Sequence, residues 1–399
     1  MLVIAAPGQG AQTPGFLAPW LELPGVADQI AAWSELARCD LIRYGTTGDA
    51  DEIRDTAVAQ PLLVAAALAA ATALGVSHPD HGVIAAGHSV GELAAGAIAG
   101  VLSPQDAMRL VGVRGRAMAH AAAAEATSMT AVLGGDEADV LARLEAHGLT
   151  PANINGAGQI VAAGTTEQLA ALAADPPARA RLIKLQVAGA FHTGHMTPAV
   201  DALRAAAATV VVRDPALTVL SNADGAPVRT GAAWLERICT QVSAPVRWDK
   251  CMASMSSLGA TAFVELPPAG TLAGLARRGL PGLQLLAIKT PDDLIKGRAL
   301  LTEHADGHSD NHAPEWRLLV APLAGTFRSE ISGATGGAVR SGARLGRVEM
   351  RGSTHLVCAD FPATIIEWLV EDGDPVSQGQ PLVRLEPALK VSTEERQQH

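Results

Sequence analysis

Val83-Ile84-Ala85-Ala86-Gly87-His88-Ser89-Val90-Gly91-Glu92-Leu93-Ala94-Ala95 decides the fold. The apolar run to Gly87 reads as a buried strand, residues 92–99 read as a helix, and Gly-x-Ser-x-Gly stands between them. Glycines on both sides of the serine let the chain turn sharply and hold Ser89 exposed at a helix amino terminus, the posture of a nucleophile. The first helical amide, that of Val90, then points at any oxyanion formed beside Ser89. A strand that turns straight into a helix is half of a strand–helix–strand unit. The first three hundred residues repeat that alternation, which predicts an α/β body around a mainly parallel sheet. Further strand candidates are Leu2–Ala6 and residues 218–221 and 261–265.

Working outward, 399 residues exceed one ordinary core, which stops growing efficiently at roughly 250 to 300 residues. With 48% hydrophobic and 18% charged residues the chain is too apolar for intrinsic disorder, apart from a tail over residues 388–399. A net charge of −10 and the lack of a basic run interleaved with aromatics exclude a nucleic-acid partner. Cys39, Cys239, Cys251 and Cys358 form no CxxC pair and no metal-ligand spacing, so they read as reduced thiols in a cytoplasmic protein, with no metal and no cofactor. The amino terminus lacks a basic signal-peptide region. The longest apolar stretch, residues 61–76, is shorter than the roughly 20 residues of a membrane span, so no membrane partner is expected.

Between residues 128 and 187 the rhythm becomes strand, helix, strand, strand, helix, strand: 130–133, 137–147, 152–155, 159–163, 167–174 and 181–185. That order predicts a ferredoxin-like subdomain inserted in the body, which ends near residue 301. Residues 302–314 read as a linker. His304, His308 and His312 recur every fourth residue there, but Gly307 and the Ser-Asp-Asn run oppose a metal-binding helix, leaving a solvated tether. Residues 315–387 hold an internal repeat. Gly336-x-x-Val339-x-x-Gly342-x-x-Leu345-x-Arg347 recurs 37 residues on as Gly373-x-x-Val376-x-x-Gly379-x-x-Leu382-x-Arg384. Two copies are too few for a solenoid, which needs about three, so they predict one small all-β domain with two-fold pseudosymmetry.

A serine hydroxyl needs a base, normally a neutral histidine. His78 and His81 flank a turn, His147 ends a helix, His399 is terminal, and His88 should point away from the serine at the elbow. His192 and His195, in Gly189-Ala190-Phe191-His192-Thr193-Gly194-His195, both remain.

Residues 1–300 resemble the malonyl-CoA:acyl carrier protein transacylase family, because six separated motifs arrive in that family's order. They are Pro7-Gly8-Gln9-Gly10-Ala11-Gln12, Gln60-Pro61, Gly87-His88-Ser89-Val90-Gly91-Glu92, Arg114-Gly115-Arg116-Ala117-Met118, Gly189-Ala190-Phe191-His192 and Pro245-Val246-Arg247-Trp248. Asn153-Ile154-Asn155 also falls at a family position. So does Glu265-Leu266-Pro267-Pro268-Ala269-Gly270, which departs from the usual Val-Gly-Pro-Gly and so reshapes a nearby loop. The resemblance implies Ser89 as acylated nucleophile and His192, not His195, as its base. It further implies Gln9 beside Val90 in the oxyanion hole, Arg114 as carboxylate clamp, Gln60 in the same pocket, and the Gln241 carbonyl orienting His192 in place of an aspartate. Phe191 would crowd the acyl α-carbon, favouring malonyl over methylmalonyl. The implied partners are malonyl-CoA and a holo-acyl carrier protein, in fatty-acid or polyketide synthesis. Two basic groups are candidates for docking the acidic carrier: Arg277 with Arg278, and Arg179 with Arg181 and Lys184.

The repeat resembles the biotinyl/lipoyl carrier domain, but its hairpin reads Val348-Glu349-Met350-Arg351-Gly352, with arginine where that family has its modified lysine. A guanidinium forms no amide with either cofactor, which implies an unmodified scaffold or docking module. The rival for the first part is an α/β-hydrolase or thioesterase. That fold shares the elbow but expects an acidic residue between the serine and a histidine near the domain's end, and it gives Arg114 no role.

Overall fold

The computed structural model describes residues 1–76, 82–306, 317–330, 337–350 and 353–387. The chain divides into two compact units, Met1–Ser309 and Asp310–His399. In the first unit the strands are β1 (Leu2–Ala6), β2 (Val83–Gly87), β3 (Thr127–Gly134), β4 (Thr150–Gly156), β5 (Gln159–Thr165), β6 (Ala180–Lys184), β7 (Thr218–Val219), β8 (Val246–Arg247), β9 (Ala262–Glu265) and β10 (Gln284–Ala287).

Five of these form a wholly parallel sheet in the order β10-β9-β1-β2-β7. Side chains alternate across a strand, and in β1 both faces find apolar partners. Leu2, Ile4 and Ala6 join one core cluster with the helix Thr56–Leu74, whereas Val3 and Ala5 join another with Trp248, Met252 and Leu272. That two-sided burial is why the strands read as unbroken hydrophobic runs. The helix Thr56–Leu74 is long and apolar enough to cross a membrane, yet Leu62, Leu63, Val64, Ala65 and Ala66 are all buried within the protein. A helix apolar all round is a core helix when protein covers every side of it.

The second sheet has the order β6-β3-β5-β4-β8, antiparallel except where β8 joins β4. The helices Glu137–Ala146 and Thr166–Ala174 follow β3 and β5 and bury Val140, Leu144, Leu169 and Leu172 in a core of their own. Thr165 and Gln168 form a reciprocal capping box at the start of the second helix, which fixes where β5 stops and the helix begins.

The expected linker start at residue 302 is corrected, because the helix Leu294–Asp306 runs through it. No glycine or proline stands in residues 302–306, and His304 is bound to the helix by its Nδ1 contact with the Leu300 carbonyl at 2.8 Å. His304 Nε2 meets Thr261 Oγ1 at 2.9 Å, so His304 is committed to the first unit's own packing. His78, His81, His308, His312 and His399 lie outside the described residues.

The second unit holds β11 (Arg317–Val320), β12 (Gly325–Ser329), β13 (Ala338–Val339), β14 (Arg344–Met350), β15 (Ser353–Cys358), β16 (Ala363–Trp368), β17 (Pro375–Val376) and β18 (Pro381–Pro387). They form two antiparallel four-stranded sheets, β11-β18-β16-β13 and β15-β14-β12-β17. The short strands are exchanged between the repeats: Val339 of the first copy pairs with Ala363 of the second, and Val376 of the second pairs with Gly325 of the first. Phe327, Val348 and Leu382 are buried in one cluster, and Leu345, Ile365 and Leu385 in the other. The β14–β15 hairpin closes on Met350 opposite Ser353, with Arg351 outside the described residues.

Candidate active site

The site gathers at the carboxyl ends of the parallel strands, where an open α/β sheet leaves its crevice. Gln9 follows β1, Ser89 follows β2 and Asn222 follows β7. The elbow at Ser89 is sterically dictated. A Cβ on Gly87 would come within 2.1 Å of the Gly91 carbonyl, and one on Gly91 within 2.2 Å of the Ala6 carbonyl oxygen. Ser89 itself has φ +53° and His192 φ +62°, left-handed conformations that cost a non-glycine residue on the order of 1–3 kcal/mol and are held by their surroundings.

Ser89 Oγ lies 2.7 Å from His192 Nε2, and His192 Nδ1 donates to the backbone carbonyl of Gln241 at 2.8 Å. With Nδ1 holding the proton, Nε2 is the lone-pair nitrogen facing the hydroxyl. His195 instead meets Glu125 Oε2 at 2.7 Å, which decides between the two histidines. His88 turns to Asn155, Nε2 to Oδ1 at 2.9 Å, with its ring edge-on to Trp248. Burial, reinforced by the positive charge of Arg114, pushes His192 down to about 3. The base is therefore neutral throughout the ordinary pH range. We expect kcat/KM for acyl transfer to change less than about twofold between pH 8 and 5.5. A histidine of ordinary pKa near 6.5 would lose about nine-tenths of its base form over that interval, so an acid limb centred near 6.5 would contradict this environment.

The Ser89 amide is occupied, donating to Asn222 Oδ1 at 2.8 Å. Among the described residues the backbone amides of Val90 and Gln9 have no acceptor. The Gln9 side chain is spent elsewhere, Nε2 donating to the Arg54 carbonyl at 3.2 Å and Thr56 Oγ1 at 3.3 Å, so only its main chain is left for an oxyanion.

Arg114 is 1% exposed, on the helix Pro104–Ala123. Gly115 lets this helix press against Thr56–Leu74, since a Cβ there would lie 2.9 Å from the Thr56 carbonyl oxygen; the approach brings Arg114 to Gln60. The guanidinium donates to Gln60 Oε1 at 2.7 Å, to Gln241 Oε1 at 2.9 Å and, more weakly, to Ser89 Oγ at 3.4 Å. Its Nε is buried without a partner, and no carboxylate forms an ion pair with it among the described residues. Desolvation lowers its pKa to about 10, so it stays a cation. Gln60, Val90, Phe191 and His192 line the small cavity at Ser89, together with Met118, whose sulfur accepts from Gln60 Nε2 at 3.4 Å. A surface cleft of about 1030 Å³, lined in part by Arg54, Thr127 and Lys184, shares Leu185 and Val187 with that cavity.

Three contributors were given no role by the sequence: Met118 and Glu92, which stand within quoted motifs, and Asn222, which stands in none. Glu92 is 1% exposed beneath the elbow, and burial pushes its carboxyl up to about 7. Its signal was present: in the helix Gly91–Ile98 it is the one charged residue among apolar and small ones.

An acyl transferase domain family matches residues 6–292. The malonyl CoA-acyl carrier protein transacylase of Mycobacterium tuberculosis strain H37Rv is 56% identical over 298 residues, covering 74% of this chain and 98% of the relative. The Escherichia coli K12 protein of that name is 32% identical, covering 71% and 94%. Among solved structures, MCAT from M. tuberculosis superposes with TM-score 0.73 at 55% identity, over 75% of this chain and 99% of that one. A polyketide malonyl-transacylase in complex with its holo acyl-carrier protein superposes with TM-score 0.69 at 28% identity, over 75% and 99%. The first unit therefore has the acyltransferase fold, and the chain belongs to the malonyl-CoA:acyl carrier protein transacylase family.

Proposed function

We infer that the protein transfers malonyl from malonyl-CoA to the phosphopantetheine thiol of an acyl carrier protein through a malonyl-Ser89 ester. One observation carries the reading: Arg114 is a buried cation beside Ser89 with an unpaired N–H and, among the described residues, no carboxylate in ion-pair contact. A buried charge without an ion-pair contact costs free energy, and Glu92 offsets it only through space from beyond Gln241, so the site is suited to an anion that arrives with the substrate. A carboxylate on the acyl group meets that need, and a neutral acetyl group does not.

In this mechanism Ser89 Oγ attacks the thioester carbonyl as His192 Nε2 takes the hydroxyl proton. The negative oxygen rests on the Val90 and Gln9 amides. The carbon–sulfur bond breaks, and His192 returns its proton to the departing thiolate. The carrier thiol then repeats the sequence in reverse, giving its proton to His192 as it attacks the ester. Exchange between two thioesters is nearly thermoneutral, so a covalent relay suffices and no cofactor is invoked. Phe191 narrows the cavity at the acyl α-carbon. Lys184 borders the adjoining cleft, whose other charged residues are Asp55 and the ion-paired Arg54 and Asp51, so position rather than net charge favours the group around Lys184 over Arg277 with Arg278 as the approach for the carrier's arm. A hydrolase or thioesterase reading gains nothing from a buried, unpaired arginine.

The strand order β6-β3-β5-β4 with helices after β3 and β5 supports a ferredoxin-like subdomain over residues 128–187. The exchanged short strands of the second unit support a biotinyl/lipoyl-like domain over residues 315–387. With Arg351 at the hairpin and no lysine between Lys296 and Lys390, that domain carries neither group and serves as scaffold or docking module. One experiment tests both statements: the full chain and a chain ending at Ser309 are each given malonyl-CoA with and without holo-acyl carrier protein, and products are weighed. Malonyl carrier protein should form at comparable rates with both. Free malonate as main product would return the hydrolase reading. A biotinyl or lipoyl mass on the full chain, or a folded short chain unable to transfer, would refute the proposed division of labour.

A further inference from the structure

Glu92 touches none of the reacting groups, yet it is buried at the centre of the contacts that hold them. Its Oε2 accepts from Gln241 Nε2 at 2.5 Å and from the Asn222 amide at 3.3 Å. Gln241 Nε2 also reaches Asn222 Oδ1 at 3.2 Å, while Asn222 Nδ2 donates to the Gly87 carbonyl at 2.8 Å. A side-chain amide can be turned either way, and here the acceptors on one side settle it. With Nε2 held by Glu92 and Asn222, Oε1 must face the opposite way, where Arg114 donates to it at 2.9 Å.

We propose that Glu92 is a positioning residue for malonyl selection: by accepting from Gln241 Nε2 it fixes Gln241 Oε1 against Arg114 and so aims the guanidinium at the acyl carboxylate. The proposal rests on the clamp reading of Arg114. Were the Gln241 amide free to turn, its NH2 would face the guanidinium, donor against donor, and Arg114 would swing from the position shared with Gln60 and Ser89. His192 would be spared, because it binds the Gln241 main-chain carbonyl, which the helix Gly231–Gln241 and not the side chain holds in place. Glu92 thus acts on which acyl group is taken rather than on the attack itself.

The test is the ratio of kcat/KM for malonyl-CoA to that for acetyl-CoA in full-length Arg114→Ala, Glu92→Leu, Glu92→Gln and Glu92→Asp. Arg114→Ala should collapse the ratio; if it does not, the clamp reading itself fails. Given that collapse, Glu92→Leu should lower the ratio at least about tenfold with acetyl transfer within about threefold of wild type. Glu92→Gln keeps an acceptor at the same reach and should hold the ratio within about threefold, whereas Glu92→Asp keeps the charge but withdraws the acceptor by one methylene and should lower it. Retention by Glu92→Asp with loss in Glu92→Gln would make charge the agent and overturn the proposal. Equal loss of both substrates would overturn it by making Glu92 a packing residue. Should Glu92→Leu fail to fold, the Gln and Asp variants decide alone. Combining Glu92→Asp with Arg114→Ala should leave the ratio where Arg114→Ala puts it, since both changes cut one chain.

Discussion

Ser89→Ala is expected to leave no malonyl adduct on the protein after incubation with malonyl-CoA, and to reduce transfer to the carrier protein to background. Wild type should gain one malonyl mass that maps to Ser89. The expectation rests on the elbow: Ser89 Oγ is the hydroxyl in reach of His192 Nε2, at 2.7 Å, and among the described residues no other hydroxyl, thiol or amine side chain lines the cavity beside Val90. His192→Ala removes the base but keeps the nucleophile, so transfer should slow on the order of a hundredfold or more. The alternative histidine offers no rescue, because His195 is paired with Glu125. Intact-protein mass spectrometry and a single-turnover transfer assay read the two effects separately. A malonyl adduct on the alanine variant of Ser89 would sink the assignment, and an unaffected rate in the His192 variant would remove that residue from the mechanism.

The legibility of these features followed the range of the interactions involved. The elbow was readable because it is local: two glycines, a strand and a helix between Val83 and Ile98 leave few alternatives, and β1 and β2 fell where an apolar run meets a polar turn. Strands β3 to β6 of the second sheet and their two helices were readable for a like reason, with Gly134, Asp136, Gly156 and Thr165 marking element ends. The strands β8 and β10 were not foreseen. The first has two residues and exists because β4 offers it an edge, and the second is a half-exposed strand whose hydrogen bonds to β9 outweigh its weak pattern. Composition misled at residues 302–306, where polar side chains suggested a tether but helix-permissive ones carried the preceding helix onward.

In the site, the residues that meet substrate were carried by motifs, whereas those that hold them were not. Gln241 was assigned through its carbonyl alone, and its side chain turns out to link Arg114 with Glu92 and Asn222. No spacing rule announces such a link, since Asn222 reaches Ser89 across 133 positions and only the adjacency of β2 and β7 brings them together. The repeat in the second unit shows the converse. Its period was plain, but the exchange of Val339 and Val376 between copies is a property of the folded pair, in which each half completes the other's sheet.

Arg114→Ala should invert the enzyme's preference rather than simply weaken it. The wild-type guanidinium is buried, with Glu92 acting on it only through space, and the malonyl carboxylate gives it a contact partner, so malonyl transfer draws on a charge-assisted contact that acetyl transfer cannot make. Losing such a buried contact costs on the order of 2 to 5 kcal/mol in the malonyl transition state, or roughly thirty- to several-thousandfold in kcat/KM. For acetyl-CoA the same change removes a buried cation that the acyl group cannot pair, so its rate should hold or rise. Gln60 and Gln241 keep their carbonyl oxygens but lose the donor they share, a penalty common to both substrates that cancels in the ratio of the two specificity constants. That ratio is the quantity to measure, with the thermal midpoint recorded alongside, because relief of a buried charge should leave the fold intact. Equal loss for both substrates would make Arg114 a structural residue and take from the malonyl reading its main physical support.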